Sequence, residues 1–216
     1  MQGRIFNYEG PLFRFLNTLA NIVILSILTL VCSVPLVTFG SAMKALHATC
    51  LKMVRNEDCY IIKDYFKSFK TNFLQSAVLG LIVLVALAFL GGGLYTFLMI
   101  GKAFPTIMII AWGIAGFIIS CTLIWIFPMQ SRFVNPIKET VRLSFFLAVT
   151  RFPKTLIMLV IWAFIPACVL FISGNFLPLV FLAELGTAAY FNAEVYDGLF
   201  RELEDRIKNG SKEEEK

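Results

Sequence analysis

Two ionisable residues stand where such residues are rare. Glu184 ends a stretch with no Asp, Glu, Lys or Arg that reaches back to Lys154, and Lys44 ends one that reaches back to Arg14. An ionisable group inside an apolar stretch long enough to cross a bilayer is costly, and it is a functional candidate by default. If Lys44 and Glu184 lie at comparable depth they can pair, each compensating the other's desolvation. The blander alternative is a protonated Glu184 hydrogen-bonded to an Asn or Ser of a neighbouring helix. Asn17 and Asn21 are four apart, so they share one helical face and could supply that partner.

Other chemistry is sparse. The cysteines, Cys32, Cys50, Cys59, Cys121 and Cys168, are scattered with no CxxC pair, and read as small apolar fillers. His47 is the single histidine and has no carboxylate or thiolate at a motif spacing. No GxSxG, HExxH, Walker A or GxGxxG pattern occurs, so the usual residues of hydrolytic, metal-dependent or nucleotide-binding chemistry are missing. The expectation is a non-enzymatic chain without cofactor or metal. Gly91, Gly92 and Gly93 read as a close-packing or flexible point in a span, not as a phosphate cradle.

The elements that must hold these residues are set by composition. Of the 216 residues, 58% are hydrophobic and only 15% charged, and the mean hydropathy is +0.80. A soluble domain averages roughly 45–50% apolar and about 25% charged residues, so this chain is an integral membrane protein. Charge-free intervals run from Arg14 to Lys44, Lys70 to Lys102, Lys102 to Arg132 and Lys154 to Glu184. Each exceeds the about 20 residues that cross a hydrocarbon core. With no hydrogen-bond partner in lipid, such segments must be helices. The fold expected is therefore all-α, a polytopic transmembrane helix bundle.

Confident spans fall at 12–34, 74–99, 105–127, 153–172 and 176–196, the last two separated by a break at Ser173-Gly174-Asn175. Pro105 and Pro153 sit at first turns, and Pro166 predicts a kink. The stretch 36–54 is ambiguous, with Gly40 available to shape a turn. It reads either as a surface helix, with Lys44, Lys52 and Arg55 on one stripe and Met43, Leu46, Cys50 and Met53 on another, or as a sixth span. Five spans leave Arg4, Arg14 and Lys102 outside; six leave only Lys102 outside but bury Lys44, at about 2.5–3.5 kcal/mol. Six is preferred, which puts both termini in the cytoplasm. The amino-terminal run is too long for a signal-peptide core and reads as a retained helix.

Residues 1–197 form the transmembrane domain on this reading, and 198–216 a cytoplasmic amphipathic and charged tail with Glu202–Arg206 and Glu204–Lys208 pairs. Two connectors are amphipathic. In 63–73, Lys63, Lys67 and Lys70 share one face and Phe66, Phe69 and Phe73 an adjacent one, which suits lipid headgroups or a soluble docking partner. In 136–149, Ile137, Val141 and Phe145 form the apolar face beside Lys138 and Arg142. The net charge of +5 follows from these flanks, and nucleic-acid binding is not expected.

The runs Gly10 to Asn17 (GPLFRFLN), Cys32 to Gly40 (CSVPLVTFG), Leu51 to Arg55 (LKMVR) and Phe66 to Phe73 (FKSFKTNF) resemble the YesL family, also called DUF624. Phe127-Pro128, Arg132-Phe133 and the Arg151 to Thr155 segment (RFPKT) fit its second half more loosely. The family pattern carries small polar residues near Lys44, so a lysine there departs from it. The resemblance implies a bacterial membrane protein encoded beside carbohydrate-uptake genes, including ABC-type sugar importers and sensor kinases. The function expected is an accessory or regulatory component of such uptake; the alternative is a small stand-alone transporter with a midplane polar site around Glu184.

Overall fold

A computed structural model describes residues 11–57, 60–100, 106–133, 135–172 and 177–214. Among these there is no strand. The helices are α1 (Pro11–Ser33), α2 (Phe39–Val54), α3 (Ile61–Lys70), α4 (Phe73–Ile100), α5 (Thr106–Arg132), α6 (Ile137–Thr150), α7 (Phe152–Ile172) and α8 (Leu177–Glu214). Arg4, Cys59, Lys102, Pro105 and the Ser173-Gly174-Asn175 break lie outside the described residues, although α7 ends at Ile172 and α8 starts at Leu177, on either side of that break.

Among the described residues, α1, α4 and α5 are long and apolar enough to cross a membrane. The α6–α7 pair, bent by 102°, counts as a fourth if it is a single broken span. Six spans are not confirmed among the described residues. The reason is clearest at α2: its 16 residues rise only about 24 Å, short of a hydrocarbon core of roughly 30 Å. Nor is α2 a surface helix. From Gly40 to Leu51 every residue except Ala48 is buried, and the helix packs against α1, α3, α4, α5 and α8. It is the axis around which the others assemble.

The sequence folds this way locally because Pro35 cannot continue α1. A short 3-10 turn, Leu36–Thr38, follows, and the Thr38 hydroxyl lies 2.5 Å from the Cys32 carbonyl and 2.8 Å from that of Pro35. Gly40 then sits in the first turn of α2 and serves a helix crossing, not the turn. A Cβ on Gly40 would lie 2.0 Å from the Ser76 carbonyl oxygen and 2.7 Å from the Gly80 Cα on α4. A similar approach joins α1 to α8, where the Gly186 amide donates to the Ser26 hydroxyl at 2.8 Å.

At the far end of α3, Asn72 takes φ 52°, a left-handed corner from which α4 departs. α5 continues through Pro128 to Arg132, past the end expected near Phe127, and the Ser131 hydroxyl caps the Pro128 carbonyl at 2.7 Å. In the triple-glycine run only Gly93 is used for close approach, against the Trp112 indole of α5; Gly91 and Gly92 face open space. Large apolar side chains along α4 and α5, such as Leu81, Val85, Ile107 and Ile114, stay exposed, as lipid-facing positions do.

α6 turns Thr140, Ser144, Leu147 and Ala148 inward. Of its expected apolar face, Ile137 and Val141 are partly buried against the core, while Phe145 points outward with Phe146 and Val149. The α5–α7 contact is closed by a buried hydrogen bond from Trp125 Nε1 to Thr155 Oγ1, 2.9 Å. Thr155→Val keeps the shape but orphans the indole N–H, so thermal unfolding in detergent should show a loss of about 1–3 kcal/mol, absent in Thr155→Ser.

Candidate functional site

The polar chemistry gathers at one end of the bundle, where α2, α5 and α8 bring their charged termini together. Arg55 follows the last turn of α2, and its guanidinium is almost wholly enclosed. Its Nε donates to Asp197 at 2.6 Å, and its two terminal nitrogens donate to Glu204 at 3.2 Å each, both acceptors on α8. Arg132 at the end of α5 grips Glu204 from the other side, 2.7 Å from Nε to Oε1. A bidentate fork fixes orientation as well as charge, so two helix ends are locked onto one carboxylate. Arg132's hydrogen bond, opposed by burial and joined by that of Arg55, holds the Glu204 carboxyl below its ordinary range. Arg201 also reaches Asp197, and Arg151 at the α6–α7 corner bonds Glu202, which pairs with Arg206 as its spacing predicts.

Beside this cluster a cavity of about 200 Å³ opens between α2, α3 and the end of α5. Lys44, Lys52, Lys67, Asn72, Gln130 and Arg132 are among its lining residues. Lys52 is paired with Asp64 of α3 at 3.0 Å. Lys44, which is buried, donates instead to the backbone carbonyl of Thr71 where α3 ends. Gln130 is 6% exposed, and neither its amide nitrogen nor its amide oxygen has a hydrogen-bond partner.

Residues 19–92, which span most of α1, all of α2 and α3 and most of α4, match the family model described as protein of unknown function, DUF624. The chain is also 28% identical over 165 residues to the uncharacterized protein YesL of Bacillus subtilis (strain 168), an alignment covering 72% of this chain and 77% of that protein. The chain is thus similar to YesL over most of its length and to DUF624 over residues 19–92. No solved structure matches it. The family match takes in Lys44, Arg55 and the helix crossing at Gly40 and Gly80, but not the α8 carboxylates that answer Arg55.

In this YesL-like bundle the residues singled out from spacing fall into separate places. Lys44 lies at the charged end and gives its hydrogen bond to Thr71; among the described residues no ion pair joins it to Glu184. Glu184 is half-buried on α8, two residues before the Gly186 contact with Ser26. Asn17 is exposed and Asn21 half-buried, whereas the buried polar face of α1 consists of Ser26 and Thr29. On α3, Lys63, Lys67, Lys70 and Phe66 are exposed and Phe69 is half-buried, as is Phe73 at the start of α4. Phe69 stacks on Tyr65 with ring centroids 6.4 Å apart. Tyr65, fully buried, is the inward anchor of α3.

Spacing alone did not single out Arg55, Asp197, Gln130 or Tyr65 as site residues. Arg55 read as one of three residues on a basic stripe, and Asp197 and Glu204 lie 142 and 149 positions away from it, beyond any local pattern. Glu204, which spacing offered to Lys208, is held by Arg55 and Arg132 from distant helices. His47 is buried with its Nδ1 3.4 Å from the Tyr196 hydroxyl, a core contact between α2 and α8.

Proposed function

We propose that this YesL-like chain is a non-enzymatic accessory or regulatory component of carbohydrate uptake. It would sit in a bacterial plasma membrane with its charged end in the cytoplasm and dock there on subunits of an ABC-type sugar importer or on a sensor kinase. The observation that carries the docking reading is α3. This helix is pinned to the bundle by the buried Tyr65 and half-buried Phe69, and leaves Lys63, Lys67, Lys70 and Phe66 on the outside. A basic-aromatic face held on a rigid support loses little conformational entropy when a partner binds. The tendency of Lys and Arg to stay inside supports the orientation, because α3 and the ends of α2, α5 and α8 concentrate them at one end. The carbohydrate context comes from the family resemblance.

Pull-down from native membranes tests the proposal. Importer or kinase subunits should co-purify with the wild type and be lost when Lys63, Lys67 and Lys70 are all changed to Glu, with membrane insertion unaffected. Unchanged co-purification in that variant removes the docking role. Solute uptake by the purified protein in liposomes, abolished by Glu184→Gln, would replace this reading with that of a transporter.

A further inference from the structure

We propose that the cavity between α2, α3 and the end of α5 is a binding site for a small oxyanion, a phosphate or a phosphate monoester, held by Lys44 and Gln130.

A buried primary amide with both its nitrogen and its oxygen unpaired is a standing cost, because each group has lost water and gained nothing. Gln130 is in that state, and it lines the cavity. A ligand that satisfies it must accept from the NH₂ and donate to the carbonyl oxygen. A monoprotonated phosphate or a hydroxyl-bearing phosphate ester does both. Charge selects the sign. Lys52 is neutralised by Asp64, and Arg55 and Arg132 by Asp197 and Glu204. Lys44, by contrast, faces only a neutral carbonyl. Glu57, which also lines the cavity, answers one of Lys44 and Lys67, so the lining is left with one uncompensated positive charge, and charge-assisted hydrogen bonds to an oxyanion would answer it. Lys67 at the mouth, with no ion partner among the described residues, adds to the positive field that draws an anion in.

The size and character of the space narrow the class. A cavity of about 200 Å³ lined mainly by charged and polar residues, with Ala48 and Leu51 among them, admits a phosphoryl group with a short substituent. The same phosphoryl chemistry is presented by a soluble ester and by an anionic lipid headgroup. This site does not rest on the docking reading; the two share Lys67, so the test here changes only the buried Lys44 and Gln130, which the docking variant leaves in place.

The test uses full-length protein purified in phosphate-free buffer, first in neutral detergent and then in phosphatidylcholine nanodiscs with or without phosphatidic acid. Inorganic phosphate and glycerol 3-phosphate are titrated against chloride at matched ionic strength. The thermal midpoint of the wild type should rise with the logarithm of ligand concentration, as it does when only the folded state binds. Gln130→Met and Lys44→Met should each weaken binding by about tenfold or more, as loss of a hydrogen bond to a charged group does. Gln130→Met removes an unpaired amide, so its midpoint without ligand should equal or exceed that of the wild type, which shows that the variant folds. A rise with both soluble anions points to a free phosphate or ester. A rise confined to phosphatidic acid nanodiscs, and lost in both variants, assigns the site to a lipid headgroup. No rise in any arm, or an equal rise in wild type and Gln130→Met, overturns the proposal.

Discussion

Placing even a methyl group on Gly80 should prevent α2 and α4 from closing. The Cβ of an alanine there would stand 2.4 Å from the Cα and 2.5 Å from the amide nitrogen of Gly40, and both are backbone atoms that cannot rotate away. Overpacking a core usually costs about 1–3 kcal/mol because side chains yield. Here a whole helix must move, so Gly80→Ala should cost about 3 kcal/mol or more, and Gly80→Leu should leave no monodisperse protein on size exclusion in detergent.

The cost is not local, because α2 is the helix that five others pack against. Displacing its first turn also disturbs the Phe39–Phe127 contact to α5, with ring centroids 6.0 Å apart, and the Ser41 hydroxyl contact to the Phe73 carbonyl. Gly91→Ala and Gly92→Ala are the internal controls. Their Cβ atoms would meet nothing within 4 Å, and alanine is favoured over glycine in a helix by about 1 kcal/mol, so both should be neutral or stabilising. Equal behaviour of Gly80→Ala and Gly91→Ala would show that the α2–α4 crossing is looser than described.

Arg55→Met is the second substitution expected to have a large effect. Asp197 and Glu204 would be left with side chains 11% and 19% exposed and without their central cation. Breaking one member out of a buried ionic group costs about 3–5 kcal/mol, and here the enclosed carboxylates would keep only Arg201 and Arg132, which are 58% and 40% exposed. Arg201→Ala removes another partner of Asp197, but that arginine is 58% exposed, and exposed pairs contribute about 0–1 kcal/mol.

The difference between Arg55→Met and Arg201→Ala in chemical unfolding measures the contribution of burial, and equal losses would contradict the enclosed network. Replacing Arg55, Asp197 and Glu204 together by Met, Asn and Gln should cost less than Arg55→Met alone, since the charges that lose partners, Arg132 and Arg201, are 40% and 58% exposed and no uncompensated charge stays buried. Acid gives a parallel reading. The Glu204 carboxyl is depressed in the folded state, so its contribution is complete above the ordinary value of 4.5 and fades as pH falls through its lowered value. Arg132→Ala, which removes the hydrogen bond that lowers it most, should move that acid limb to higher pH.

Charge placement along the chain was enough to specify helices long and apolar enough to cross a membrane. Intervals without Asp, Glu, Lys or Arg longer than a bilayer crossing can satisfy their backbone only as helices, and α1, α4 and α5 lie where those intervals lie. The Glu202–Arg206 pairing on α8 was legible as well, because it depends on residues a few positions apart. The amphipathic character of α3 was legible too, though not which ring turns inward: Phe66, Phe69 and Phe73 look alike in sequence, and only the packing of Tyr65 against the bundle separates them.

The role of α2 was decided by tertiary structure. A sixteen-residue helix bearing two lysines and a histidine scores as neither a clean span nor a clean surface helix, and it is buried because its neighbours enclose it. The domain boundary drawn after residue 197 falls within the continuous helix α8. Beyond that point Glu204 and Glu202 are engaged by arginines of α2, α5 and the α6–α7 corner. Periodicity reports which residues share a helix face, but not which faces meet. The pairing of Arg55 with Asp197 and Glu204, and the unanswered amide of Gln130, come into being only when distant helices are brought together.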